Sequence, residues 1–235
     1  MHTFMDRLVE KAIQESQARR VAKMAIKAWD PDIIISRDPG SGGSVVAKKV
    51  ARRLGWKLFD KELMLELSRE LDIPAETIEH VDEHTRSWLA DMVHFLFSKN
   101  YVSDIRYIGA LRKILLHAAK QGDMVILGRG ANFIIPEEKC LRVRITASMP
   151  TRVSNTYTYE HKSTKEEAAR WVQHVQKNRD RFIRQYFGAN PHNPWYYDLV
   201  ISTDHLSLDQ AADLVIQAYL AKFPTEKRRL KSKLA

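Results

Sequence analysis

The chain has 235 residues, 44% apolar and 29% charged, a balance that fits one large folded domain, or one with an appendage, and excludes wholesale disorder, collagen-like and low-complexity sequence. A net charge of +9 favours polyanionic partners, and charge alone does not choose among nucleotide phosphates, nucleic acid and anionic membrane. No run approaches the roughly 20 apolar residues needed to cross a bilayer, and the N-terminus lacks a basic region followed by an apolar one, so a cytoplasmic protein without a membrane partner is expected.

A helix is predicted over residues 3–28, with Met5, Val9, Ala12, Val21, Met24 and Ala28 near one stripe, ending before Pro31. Asp32-Ile33-Ile34-Ile35-Ser36 is a β-branched run that reads as a buried parallel strand. After a glycine-rich turn, Val46, Val50 and Leu54 mark a helix over 44–54 that Gly55 stops. Residues 57–59 form a short strand, and 61–121 read as helical, with breaks near Pro74 and around 98–103. Ile105, Ile108, Leu111, Leu115 and Ala118 are its clearest apolar stripe. Strands follow at 124–127 and 141–146, then a long polar helix at 164–187, a last strand at 197–202 and a last helix at 206–221. Strands alternating with helices imply an α/β fold, a parallel sheet covered on both faces. Cys140, the single cysteine, lies in an apolar stretch and reads as a small core residue, and the tail at 227–233, five of whose seven residues are basic, is expected to be disordered.

The turn Ser36-Arg37-Asp38-Pro39-Gly40-Ser41-Gly42-Gly43-Ser44 joins a buried strand to a helix, which is how α/β proteins hold phosphates: glycines admit close approach, and backbone N–H groups and the helix dipole then face the anion. Against the phosphate-loop pattern GxxxxGK[ST], Gly42 matches the second glycine and Ser44 the hydroxyl expected near Mg²⁺. Arg37 stands at the first glycine and Gly43 at the lysine that reaches the β- and γ-phosphates. A tight strand-to-helix connection without a ligand fits the same spacing.

Ser36-Arg37 with Gly40-Ser41-Gly42-Gly43, followed by Leu58-Phe59-Asp60-Lys61-Glu62, resembles the cytidylate kinase-like family of P-loop kinases. Val125-Ile126-Leu127-Gly128-Arg129-Gly130, Arg144-Ile145-Thr146-Ala147-Ser148 with Arg152, and Tyr197-Asp198-Leu199-Val200-Ile201-Ser202-Thr203 continue the resemblance in the family's order, over roughly residues 32 to 222. The fold it implies is a P-loop NTPase or kinase-like parallel sheet flanked by helices. A helical acceptor-binding insertion falls within about 61–121 and an arginine-rich lid within about 150–194. The domain would run over 32–224, between an N-terminal helical extension at 1–31 and a basic tail at 225–235.

The activity it implies is ATP- and Mg²⁺-dependent phosphoryl transfer to a nucleoside monophosphate, with CMP or dCMP as acceptor. Gly40, Ser41, Gly42, Gly43 and Ser44 would hold the ATP phosphates, Lys61, Gly128 and Arg129 the acceptor, and Ser44 and Asp60 the Mg²⁺. Asp60 equally reads as the N-cap of the helix that follows. Gly130 stands where the family carries an aspartate that helps to read the cytosine amino group. Arg170, Arg179, Arg181 and Arg184 lie in the lid segment, where arginines would neutralise charge on the transferring group, and a solvated basic face accounts for any one of them as well. Because Gly43 replaces the lysine, Arg37 or a lid arginine is expected to take over its charge role.

Other features have readings of their own. His80-Val81-Asp82-Glu83-His84 fits the zinc pattern H-x-x-E-H in an acidic helical stretch. Trp88, Phe95, Phe97, Tyr101 and Tyr107 read as base-stacking residues or as core packing, and Trp195-Tyr196-Tyr197 as a rigid turn that fixes the lid's exit. The altered loop keeps open a nucleotide-binding module with little turnover, and the basic termini a weak contact with nucleic acid.

Overall fold

The computed structural model describes residues 29–59, 61–73, 101–159 and 164–226. The predicted helix at 3–28, Asp60, the His80–His84 pattern, Trp88, Phe95, Phe97 and the tail from 227 lie outside the described residues.

Ile33, Ile34 and Ile35 are wholly buried, as a central parallel strand requires. They lie in β1 (Asp32–Arg37), which pairs in parallel with β3 (Met124–Leu127) on one side and β4 (Cys140–Thr146) on the other. β2 (Lys57–Phe59) and β5 (Leu199–Ser202) form the edges, giving the order β2-β3-β1-β4-β5. The order reverses at β1, and in such sheets ligands bind beyond the carboxyl ends of the strands at that switch.

On one face Ile33, Ile35, Val143 and Ile145 pack against α1 (Gly43–Leu54) and the last helix. The other face sets Ile34 and Ile126 against α2 (Lys61–Glu70) and α3 (Tyr101–Gln121), with Met64, Leu67, Leu111 and Leu115 in the layer. Each such side chain contributes about 1.5–3 kcal/mol by leaving water. Tyr107 joins this core, and so does Cys140, whose thiol burial pushes up to about 12.

Helix α4 (Met149–Tyr159) is absent from the sequence reading, because its Thr, Ser and Tyr residues are weak helix formers. Tertiary contacts impose it. Ser148, just before its first turn, donates its N–H and hydroxyl to Asp204, and hydrogen bonds from Thr151 and Ser148 hold that carboxyl well below its usual range. α5 (Lys165–Phe187) begins at Thr164, whose side chain accepts from Glu167 N–H, and ends at left-handed Gly188. α6 (Leu208–Lys222) starts from a capping box made by Ser207 and Gln210. Among the described residues no helix is long and apolar enough to cross a membrane.

Candidate active site

The turn between β1 and α1 is held by its carbonyls. Ser41 Oγ donates to Asp38 O at 2.8 Å, Arg152 Nε to Pro39 O at 2.8 Å, Asn155 Nδ2 to Gly40 O at 2.8 Å and Thr203 Oγ1 to Ser41 O at 2.9 Å. Four successive oxygens are thereby turned into the protein. Among the described residues no side chain caps α1, and its first turn carries no acidic residue, so the amides of Gly42, Gly43 and Ser44 are able to meet an external anion. The left-handed Gly40 (φ +78°) abuts the Arg152 backbone so closely that a Cβ there would overlap it. Ser44 is exposed at the same helix end.

Gly43 has a different steric reason. A Cβ at 43 would overlap the Arg37 side chain, so the space a loop lysine would need is filled by Arg37. From there Arg37 runs across β3 to Gly128, where a Cβ would overlap its Nη1. Gly128 is itself left-handed, at φ +76°, which favours glycine there whatever its neighbour.

Arg37 ends in a pocket at the carboxyl ends of β1, β3 and β4, closed on the lid side by α5. Arg37, Arg129, Arg144 and Arg179 all line it, together with Ser36, Asn132, Phe133 and Asp180. Burial, then repulsion from Arg179 and Arg129, drives the Arg37 guanidinium well below its ordinary pKa. Arg179 donates Nη1 to Arg37 O at 2.9 Å, and burial lowers its own pKa to about 9 against the pull of Asp38. Arg129 is a non-glycine residue at φ +55°, between Gly128 at +76° and Gly130 at +65°. Such strain costs about 1–3 kcal/mol and collects at functional sites. This crowd of buried positive charge is suited to a multiply charged anion.

A network running from buried Asp38 and Arg144 to the exposed His192 ties the loop and the sheet to α4 and α5. Asp38 accepts from Arg144 Nη2 at 2.5 Å and from Thr146 Oγ1 at 2.6 Å. Arg144 Nη2 also donates to His192 Nδ1 at 3.2 Å, and His192 Nε2 donates to Asp180 Oδ2 at 2.8 Å. Gln176 closes the circuit, donating to Asp180 Oδ1 at 2.7 Å and accepting from Arg152 Nη2 at 3.0 Å. Tyr197 lies under Arg144, 5.6 Å from ring centroid to guanidinium carbon, and donates to Pro191 O at 2.8 Å. The Pro194–Tyr196 turn thus leads into this network, whereas Trp195 itself is 85% exposed.

The structure brings Arg37, Gly128, Arg129 and Arg179 to one pocket beside the loop formed by Gly40, Ser41, Gly42, Gly43 and Ser44. Ser41 gives its hydroxyl to Asp38 O and Ile145 O, its N–H to Asp38 O and its carbonyl to Thr203, so it serves the loop's shape. Lys61 opens α2. Arg181, half-buried, and the exposed Arg184 and Arg170 do not line the pocket. Spacing shows which arginines share a face but not which face turns inward. Val172, Val175, Asn178 and Phe182 decide that, and Arg179 lies beside their stripe. Asp38, Asn132, Asp180 and His192 were not singled out from the sequence, because each acts through a partner distant in the chain. Among the described residues no group of three or more His, Cys, Asp or Glu side chains converges as a metal site.

The model of the "Cytidylate kinase-like family" matches residues 32–205, a span containing the loop, the arginine pocket and both lid helices. A cytidylate kinase of Pyrobaculum aerophilum is 24% identical over 187 residues, covering 76% of this chain and 87% of that protein. One of Methanopyrus kandleri is 24% identical over 193 residues, covering 78% and 90%. A solved structure of an uncharacterized protein from Eubacterium ventriosum superposes with a TM-score of 0.58 at 23% identity, over 80% of this chain and 97% of that one, a likeness of fold. A parallel P-loop kinase sheet, a loop that offers amides to an anion and a family match over most of the chain converge: the chain belongs to the cytidylate kinase-like family of nucleoside monophosphate kinase-like phosphotransferases.

Proposed function

We propose that this chain transfers the γ-phosphoryl group of ATP to a nucleoside monophosphate, with CMP and dCMP as the first acceptors to test. The observation that carries this reading is the strained Arg129, aimed with Arg37 and Arg179 into one pocket directly beside a loop whose free amides suit a phosphate. In the reaction an oxygen of the acceptor phosphate attacks the γ-phosphorus in line, the bond to the β–γ bridging oxygen breaks, and ADP leaves.

Gly42, Gly43 and Ser44 amides hold the donor phosphates, Arg129 grips the acceptor phosphate, and Arg37 and Arg179 neutralise charge between the two. The exposed Ser44 hydroxyl would hold a Mg²⁺, with Asp60 as the candidate carboxylate ligand. When bound, the metal screens the phosphate charges. The network through Arg152, Gln176 and Asp180 fastens the lid over the loop and keeps water out.

A second reading, a nucleotide-binding module with little turnover, draws on one observation: Arg37 stands where the loop lysine would go. A coupled ADP-release assay with ATP, Mg²⁺ and CMP, dCMP, UMP, AMP and GMP separates the two, with ATP binding followed by calorimetry. Turnover is expected with at least one acceptor, and Arg37→Ala is expected to lower kcat by about 10²–10³. ATP binding without turnover on any of the five would favour the module.

A further inference from the structure

Gly130 occupies the position at which the family's base-reading aspartate would stand, and this chain has no room for one. Gly130 is left-handed, and a Cβ on it would overlap the Phe187 ring. Phe187 is fixed in turn by stacking on Phe133, with ring centroids 5.1 Å apart and planes 23° off parallel, and by an edge contact with Phe182. A side chain at 130 would displace this aromatic cluster, so recognition of the acceptor has to come from elsewhere on the same turn.

Asn132 is that place. It sits in the short helical turn Ala131–Phe133, lines the arginine pocket and is 92% buried. Its Oδ1 accepts from Ser36 Oγ at 3.4 Å, while Nδ2 is buried with no hydrogen-bond partner among the described residues. A buried amide donor without a partner is costly, and a polar side chain in that state beside a pocket is accounted for when a ligand supplies the acceptor atom. The neighbours indicate which part of the ligand this is. Phe133, backed by its stacking on Phe187, and Phe182 make this side of the pocket apolar, suited to a base, and Arg37, Arg129 and Arg179 provide the charge suited to a phosphate.

We propose that Asn132 is the specificity-determining residue of the acceptor pocket, donating its Nδ2 hydrogen to a carbonyl oxygen or unprotonated ring nitrogen of the acceptor's base, in place of the carboxylate that Phe187 excludes from position 130. Ser36 is a positioning residue that orients the amide. The inference rests on the acceptor reading of this pocket and deepens it: the base is recognised by a neutral donor.

The test uses the full chain with ATP and Mg²⁺. For the best acceptor of the five monophosphates, Asn132→Ala is expected to raise the acceptor KM about tenfold to hundredfold, leaving the ATP KM within about twofold. Asn132→Asp has the same shape, fills the site if the alanine variant fails to fold, and is expected to lose as much, since a carboxylate oxygen cannot donate. Ribose 5-phosphate, which lacks a base, is expected to compete with the acceptor at the same Ki in the parent and both variants.

An unchanged acceptor KM, a parallel rise in both KM values, recovery in Asn132→Asp, or an equal loss for ribose 5-phosphate would each overturn the role given to Asn132 while leaving the kinase reading in place. A parent protein that neither phosphorylates nor binds any of the five monophosphates would overturn both.

Discussion

The glycine-rich loop and the arginine pocket lie side by side at the carboxyl ends of the central strands, yet they are built from different parts of the chain. The loop is backbone: its carbonyls are tied down by Ser41, Arg152, Asn155 and Thr203, and what it presents is a set of amides. The pocket is side chain: arginines from β1, β4, α5 and the turn after β3 are crowded together at a cost in desolvation and repulsion. A backbone site tolerates any neighbour that holds its carbonyls. A side-chain site depends on each guanidinium being in place. Asp38 and Arg37 belong to both regions, and substitutions there test the division most severely.

The largest effect is expected at Asp38. Asp38→Ala removes the buried partner of Arg144 and Thr146 and leaves a buried guanidinium uncompensated, which should cost about 3–5 kcal/mol in urea-induced unfolding. A midpoint unchanged from the parent would mean that loop and pocket stand without this link.

Next is Gly43→Ala, whose Cβ would push into Arg37, at about 1–3 kcal/mol of stability together with a lower kcat. In a double-mutant cycle with Arg37→Gly, removal of the obstructing Cβ and Cγ should make the combined stability loss smaller than the sum of the single losses. Strict additivity would show that Gly43 answers to the loop alone.

Asp198 lies away from both regions, bonded to Arg142 at 2.9 Å and Lys222 at 2.7 Å, and serves as a control. Burial pushes its carboxyl up, but hydrogen bonds from Arg142 and Lys222 outweigh this and hold it below its ordinary value of 3.8. A depressed carboxyl stabilises the fold above its unfolded pKa and loses that contribution as pH falls through the folded value. Asp198→Asn should therefore cost about 1 kcal/mol at pH 7 without touching kcat, and the gap between parent and variant should close in melts below about pH 4. A gap that persists into acid would assign the loss to packing.

The smallest effect is expected for Arg184→Ala, on the exposed side of α5: less than about 0.5 kcal/mol, and a kcat close to the parent's. A tenfold fall in kcat would mean that the outer face of the lid swings over the pocket during turnover, and the inward arginine would no longer suffice as the account of this helix.

Much of this was legible from residue order. The Ile33-Ile34-Ile35 run, the Gly55 stop and the polar helix at 164–187 mark elements by local chemistry, and the structure has them within a few residues of the reading. The loop was legible too, because a tight strand-to-helix turn leaves its glycines in sequence. The structure adds that Gly43 is also required by Arg37. Helix α4 was not legible, since Asp204 and α5 impose it on residues with little helical preference. Nor was the choice of Arg179 over Arg181 and Arg184, which a 3.6-residue period cannot make without knowing which face meets the sheet.

What the sequence by itself determined is the alternation of strands and helices, the glycine-rich turn and the order of motifs that carries the family. These depend on residues close in the chain, whose preferences act before any long-range contact forms. Only the tertiary structure decided which arginines share a pocket, that Asp38 clamps the loop to β4, that Phe187 closes the space above Gly130, and that the Asn132 amide is left with a donor to offer. Those are outcomes of side chains meeting across the switch at β1 from positions far apart in sequence. Their energies come from burial and pairing that exist only once the sheet has assembled.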